Sequence, residues 1–246
     1  MKLFGLIGYP LSHSFSSSYF ANKYKNEGIE DCEYQLFPIK HISEINELIK
    51  KNDNLEGFNI TIPYKKEIIP YLTSINSVAS EVGAVNTVKI IRNNGIIELC
   101  GFNTDVIGFE NSIKPLLNGR NKALILGTGG AALAVQYVLN RLHISSLFVS
   151  RNADNDKIDN NLLSKKILNE YTIIINTTPV GMFPNISDAP EFPYLELNSN
   201  HLLYDLIYNP TLTQFLRNGV QQGCSIKNGL EMLQIQAEEA WKIWTI

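Results

Sequence analysis

Gly127-Thr128-Gly129-Gly130-Ala131-Ala132 follows directly on the apolar run Ala123-Leu124-Ile125-Leu126. A strand that runs into a glycine turn, with an amphipathic stretch Ala131–Leu142 behind it, reads as a strand–turn–helix unit. Glycines at 127 and 129 let the backbone turn tightly and approach a pyrophosphate, and the small Ala132 lets the helix pack close to its strand. The helix N-terminus, with its unsatisfied N–H groups, then faces the phosphates. A second strand, Leu147-Phe148-Val149, ends at Ser150-Arg151. A nucleotide site that prefers NAD usually carries Asp or Glu there, to hold the ribose hydroxyls. Ser150 brings no charge and Arg151 brings a cation, which attracts a 2′-phosphate. The unit reads as a site for NADP over NAD.

The chain around this unit is 246 residues long, with 44% hydrophobic and 18% charged residues. That composition belongs to a soluble globular protein of one or two domains. A net charge of −3 offers no electrostatic attraction to nucleic acid or an anionic membrane. No apolar run approaches the roughly 20 residues needed to span a bilayer, and Pro10 interrupts the N-terminal run too early for a signal peptide. Cys32, Cys100 and Cys224 are odd in number and widely spaced. They read as reduced thiols in a cytoplasmic protein. His13, His41, His143 and His201 show no metal-ligand spacing, so no metal is expected.

Working outward, the first hundred residues alternate strand-like and helix-like patterns. Strands are expected at Lys2–Ile7, Cys32–Phe37 and Gly57–Thr61, and helices at Ser14–Asn26, Ile42–Lys50 and Ser74–Val82. Asn93-Asn94-Gly95 between the apolar runs Ala84–Ile91 and Ile96–Cys100 signals a hairpin. The order predicts a mostly parallel sheet with an antiparallel edge. Beyond it come a helix at Val106–Leu117, the glycine-turn unit, and strands at Thr172–Asn176, Leu202–Leu206 and Cys224–Ile226. Helices are expected at Thr211–Gln222 and Leu230–Trp244, and a polar loop at Asn152–Asn161.

Polar strings sit at the ends of these elements, where open α/β sheets collect ligands. In Gly8-Tyr9-Pro10-Leu11-Ser12-His13-Ser14-Phe15-Ser16, the serines at 14 and 16 can point the same way from an extended turn. Two hydroxyls suit a carboxylate without adding charge, and they equally suit capping of the next helix. In Asn59-Ile60-Thr61-Ile62-Pro63-Tyr64-Lys65, alternation puts Asn59 and Thr61 on one face. Lys65 follows a proline-fixed turn; a lysine beside Lys66 is otherwise ordinary solvated surface. Gly83-Ala84-Val85-Asn86-Thr87 and Gly101-Phe102-Asn103-Thr104-Asp105 follow, the latter placing a carboxylate at a helix start, where Asp is also a common cap.

Together these strings resemble the shikimate dehydrogenase family over nearly the whole chain. The likeness continues in Asn176-Thr177-Thr178-Pro179-Val180-Gly181-Met182, in Asp205-Leu206-Ile207-Tyr208-Asn209-Pro210-Thr211 and in Asn228-Gly229-Leu230-Glu231-Met232-Leu233-Gln234-Ile235-Gln236. The resemblance implies NADPH-dependent, reversible reduction of 3-dehydroshikimate to shikimate, a step of aromatic biosynthesis. It implies Lys65 and Asp105 as the catalytic pair and Ser14 and Ser16 as carboxylate ligands. Asn59, Thr61, Asn86, Asp105 and Gln236 are implied at the ring hydroxyls, with Tyr208 lining the pocket. Gly127, Gly129, Gly130 and Ala131 would hold the pyrophosphate, and Ser150 and Arg151 the adenosine ribose and its phosphate. Thr177, Met182 and Gly229 would border the cofactor.

The expected architecture is α/β with two domains. A mostly parallel αβ substrate domain spans 1–104 and is completed by the C-terminal helix 228–246. A Rossmann-type, doubly wound nucleotide domain spans 105–227. The expected partners are small molecules only, in a monomer or homodimer. Two other readings use the same residues: a dehydrogenase that also takes quinate or uses NAD, and a non-catalytic nucleotide sensor. Lys65 and Asp105 argue against the sensor, which has no need of an acid/base pair.

Overall fold

β1 (Lys2–Ile7) is buried from its second residue onward, because parallel partners flank it on both sides: β2 (Cys32–Phe37) and β3 (Leu55–Ile60). A strand covered on both edges and both faces reads as a continuous apolar run, as this one does. The computed structural model describes residues 1–11, 15–150 and 157–246. Ser14 and Arg151 therefore lie outside the described residues. The chain divides into two compact units, Met1–Thr104 with Ala237–Ile246, and Asp105–Gln236.

In the first unit, α1 (Phe15–Glu27) and α2 (Ile45–Lys51) follow β1 and β2. β5 (Thr87–Asn93) and β6 (Ile96–Phe102) form the hairpin read from Asn94-Gly95, and both turn residues have positive φ, 51° and 81°. Primed turns of this kind match the strand twist, which is why Asn-Gly announces them. The sheet order is β2-β1-β3-β5-β6-β4, where β4 is Ser74–Ile75.

This corrects the expectation in two places. The reversed strand β5 lies inside the sheet, not at its edge, because Ser74–Ile75 pairs parallel to β6 and covers it. Those residues were expected to be helical. The helix α3 (Ser77–Val82) begins only after Asn76, whose side chain accepts the Val78 N–H at 3.0 Å. An asparagine cap ends the extended backbone and starts the helix at that point.

The last helix, α8 (Leu230–Thr245), begins in the second unit, and its residues from Ala237 belong to the first. Trp244 donates from its indole nitrogen to the Val88 carbonyl at 3.0 Å and stacks on Phe4 at 5.0 Å. A buried indole that finds both an acceptor and an aromatic partner contributes area burial and direction together.

The second unit is built on an all-parallel sheet of β7 (Lys122–Leu126), β8 (Ser145–Ser150), β9 (Lys157–Asp159), β10 (Ile173–Asn176), β11 (Leu202–Asp205) and β12 (Ser225–Lys227). Its order, β12-β11-β10-β7-β8-β9, is the doubly wound arrangement that reverses direction between β7 and β10. β9 is a strand within the stretch expected to be a polar loop. Its backbone pairs with Phe148–Ser150 at the sheet edge, and its one apolar side chain, Ile158, packs against the core of this unit. α7 (Gln214–Gln221) starts three residues later than expected, because the Thr213 side chain caps it by accepting the Leu216 N–H. No helix among the described residues is long and apolar enough to cross a membrane.

Candidate active site

The first unit gathers strings from distant parts of the chain into one buried polar network. Asn59 ends β3, Asn86 precedes β5, and Thr104 follows β6. Asn59 donates from Nδ2 to the Asn86 carbonyl at 3.3 Å and to Thr87 Oγ1 at 3.1 Å. Asn86 donates to Thr104 Oγ1 at 3.0 Å and accepts the Thr104 N–H at 2.7 Å. Tyr34 completes the set by donating to Asn59 Oδ1 at 2.9 Å. Asn59, Asn86, Thr87 and Thr104 are all buried. Buried polar groups persist in a core only when they satisfy one another, so this network is rigid.

Lys65 is held to the same network by its backbone. Its carbonyl accepts the Val85 N–H at 2.8 Å, one residue before Asn86. Lys65 and Thr61 are half-buried, and the Thr61 N–H donates to the Ile7 carbonyl at 2.9 Å. Ser16 is buried in the first turn of α1. Asn59, Thr61, Lys65 and Asn86 are thus brought together around the C-terminal ends of β1 and β3.

In the second unit, α4 (Asp105–Ile113) opens on Asp105, which is buried. A side chain at Gly108 would run into the Met232 carbonyl and Gln236 Cβ. This glycine lets α4 and α8 approach closely, which packs the helix of Asp105 against the helix of Gln236. Gln236 is buried and donates to the Leu233 carbonyl at 3.0 Å.

The glycine turn sits at the point where the sheet reverses. Gly127 has φ +104°, and a Cβ there would meet Thr177 Oγ1 and Thr178 Cγ2 within 3 Å. Thr177 Oγ1 donates to the Leu126 carbonyl at 2.7 Å, closing the two loops on each other. α5 (Gly130–Arg141) starts behind Gly129, and a Cβ at Gly129 would point at no protein atom within 4 Å. An open approach to uncapped helix N–H groups is the geometry that receives a phosphate. Gly130 and Ala131 open α5, and Ser150 ends the neighbouring strand β8.

The loops that follow β10 and β11 are tied together. The Phe183 N–H donates to the Asn209 carbonyl at 3.3 Å, which joins the segment of exposed Met182 to that of half-buried Tyr208. The Gly229 N–H donates to the Ile207 carbonyl at 3.0 Å. Beneath them lies Asp205, fully buried. It accepts from Asn176 Nδ2 at 3.0 Å, from the Ile207 N–H at 3.1 Å and from Thr213 Oγ1 at 2.6 Å. Burial pushes its carboxyl up to about 6, against the pull of these three donors. Asn176 in turn accepts from the Thr178 N–H and hydroxyl.

Sequence reasoning assigned no role to Tyr34, Thr87, Thr104, Asn176 or Asp205. Four of them stand inside the quoted strings, so the strings themselves were the signal. Tyr34 stands in none, and only the pairing of β2 and β3 on either side of β1 brings it to Asn59. Among the described residues, no group of His, Cys, Asp and Glu could hold a metal ion.

Residues 6–88 match the family model described as the shikimate dehydrogenase substrate binding domain. The chain is 39% identical to the shikimate dehydrogenase (NADP(+)) of Staphylococcus haemolyticus, over 98% of this chain and 92% of that one. The crystal structure of shikimate dehydrogenase from Aquifex aeolicus superimposes with a TM-score of 0.87 at 31% identity, covering 100% of this chain and 92% of that one. The shikimate 5-dehydrogenase of Thermus thermophilus, in complex with NADP(H) and shikimate, superimposes with a TM-score of 0.84 at 28% identity, covering 100% and 94%.

Proposed function

The chain belongs to the shikimate dehydrogenase family, and from that premise we propose how its residues carry out the NADPH-dependent reduction of 3-dehydroshikimate to shikimate. The observation that carries the reading is the convergence of Asn59, Asn86 and the Lys65 backbone on one buried network, together with the glycine turn at the reversal of the second sheet. We assign substrate binding to the first unit with the C-terminal helix, and nucleotide binding to the second.

Ser14 and Ser16 hydrogen-bond the carboxylate, and Asn59, Thr61, Asn86 and Gln236 the ring hydroxyls, with Tyr208 against the ring. Gly127, Gly129, Gly130 and Ala131 hold the pyrophosphate, Ser150 and Arg151 the adenosine end, and Thr177, Met182 and Gly229 the nicotinamide end. NADPH, when bound, supplies the hydride. Negative charge then grows on the carbonyl oxygen, and the Lys65 ammonium gives that oxygen its proton. We assign Asp105 to the same step as the second member of the catalytic pair. In the reverse direction Lys65 takes the proton from the hydroxyl. We read the protein as cytoplasmic, in line with its three free cysteines.

The test is direct. Purified protein given shikimate with NADP+ should form reduced nicotinamide, followed by its absorbance; the sensor reading requires none. The same assay with NAD+ and with quinate separates the remaining alternatives. Replacing Arg151 with alanine should raise KM for NADP+ roughly 10- to 100-fold, since a charged hydrogen bond contributes about 1.5–3 kcal/mol. KM for NAD+ should barely change. Equal losses with both cofactors show that Arg151 does not read the phosphate.

A further inference from the structure

We propose that Tyr34 is a positioning residue for the substrate: its hydroxyl couples Ser16, at the start of α1, to Asn59, at the end of β3. The inference rests on the substrate roles given above to Ser16 and Asn59. Tyr34 lies in β2 with its ring stacked on Phe20 at 4.5 Å and 16°, and 6.3 Å from Trp244. That packing leaves the hydroxyl a single position. It donates to Asn59 Oδ1 at 2.9 Å, and the Ser16 side chain hydrogen-bonds to it. Because the one phenolic hydrogen goes to Asn59, Ser16 is the donor in its bond to Tyr34. Burial raises the phenol well above its ordinary range, so Tyr34 stays a neutral donor at any working pH.

Two consequences follow for recognition. Asn59 spends both amide hydrogens inside the protein, on the Asn86 carbonyl and on Thr87 Oγ1. It therefore meets a ligand only through Oδ1, as an acceptor. The ring group set against it must be a hydroxyl that donates; an ether or ketone there would oppose lone pair to lone pair.

The second consequence is cooperative. Serine and tyrosine hydroxyls carry one hydrogen each and rotate to suit their partners. A carboxylate is a stronger acceptor than a phenol oxygen, so Ser16 turns its hydrogen to the carboxylate. Tyr34 then turns its own hydrogen onto Ser16 Oγ, and the donor it withdraws from Asn59 Oδ1 is replaced by the ring hydroxyl. No O–H bond breaks; two rotors reverse. The aligned chain Tyr34 to Ser16 to carboxylate strengthens its last donor, and the two ends of the substrate are read as one unit.

Tyr34→Phe keeps the stacked ring and removes the hydroxyl. Expected is a rise of about 5- to 10-fold in KM and Kd for shikimate, the worth of one buried hydrogen bond. KM for NADP+ should move less than about twofold, and kcat less than about threefold. Ser16→Ala is measured alongside, and the double variant should be scarcely weaker for shikimate than the poorer single one. If Ser16→Ala weakens shikimate while Tyr34→Phe leaves it unchanged, the proposal falls and the substrate reading stands. If Ser16→Ala leaves shikimate binding unchanged, the reading of Ser16 falls and takes the proposal with it. A lowered melting temperature with unchanged shikimate KM makes Tyr34 merely structural and overturns the proposal. Should Tyr34→Phe not fold, the wild-type protein supplies the test. The losses from methylating the carboxylate and from removing single ring hydroxyls should be non-additive for one of the mono-deoxy analogues; additivity for all of them overturns the coupling.

Discussion

Lys65→Ala should lower kcat by at least about 100-fold, the low end for loss of a general acid or base, while shikimate and NADP+ bind with nearly unchanged affinity by calorimetry. The donor matters most when charge appears on the carbonyl oxygen, which happens in the transition state and not in the bound ground state. The substitution should also be well tolerated structurally. The network engages Lys65 through its carbonyl, which alanine retains, so the Val85 bond survives. Asp105→Asn keeps the size and a hydrogen-bonding group but removes the acidic member of the proposed pair, and should depress kcat as well. Because the two act as a unit, the double variant should be scarcely worse than the poorer single one. Fully additive losses break the pair. Near-normal kcat with much weaker shikimate binding would make Lys65 a binding residue, leaving the reaction without a named proton donor.

The second large effect concerns Asp205 and is read in stability. With its carboxyl raised to about 6 from an ordinary 3.8, the native protein holds a proton on Asp205 across a range of pH where the unfolded chain has lost it. Stability contributed by this group is therefore full below about pH 4, falls as pH rises to about 6, and is level above. The span is on the order of 3 kcal/mol. Measured by urea unfolding, wild type minus Asp205→Asn should trace that decline, because the amide does not titrate. A flat difference from about pH 4 to about pH 7 shows that Asp205 does not carry the shift. Asp205→Ala is harsher. It leaves Asn176 Nδ2, the Ile207 N–H and the Thr213 hydroxyl buried with no acceptor from residue 205, at a cost of about 3 kcal/mol or more. The loops that hold Met182 and Tyr208 rest on this carboxylate. The alanine variant should therefore weaken NADP+ binding even at temperatures where it stays folded.

Much of the fold was legible because its signals are local. The run 123–126 into Gly127, the pair Asn94-Gly95, and β1, β2 and β10 all announce themselves within a few residues. What sequence reading missed depends on partners far along the chain. Ser74–Ile75 is a strand only because β6 offers an edge, and Lys157–Asp159 only because β8 does. Neither has the apolar alternation of an independent strand, so propensity had nothing to detect. The reversal of β5 inside the first sheet is likewise a matter of strand order, which no window of sequence contains.

The candidate site divides along the same line. The sequence by itself determined the chemical groups: hydroxyls near residue 16, amides at 59 and 86, a lysine at 65, a carboxylate at 105 and a glycine turn at 127. It also determined the family, since so many ordered strings in one chain leave little room for another reading. Only the tertiary structure decided which groups are already committed to each other. Asn59 looks like a free amide in sequence, yet both its hydrogens are spent on Asn86 and Thr87. Tyr34 looks like an ordinary core aromatic, yet its hydroxyl stands between Ser16 and Asn59. Asp205 looks like a ligand, yet it is a buried brace for two loops. The reason is that residue type sets what a side chain can donate or accept, whereas the partners that use up that capacity are supplied by neighbouring strands, dozens of residues away along the chain.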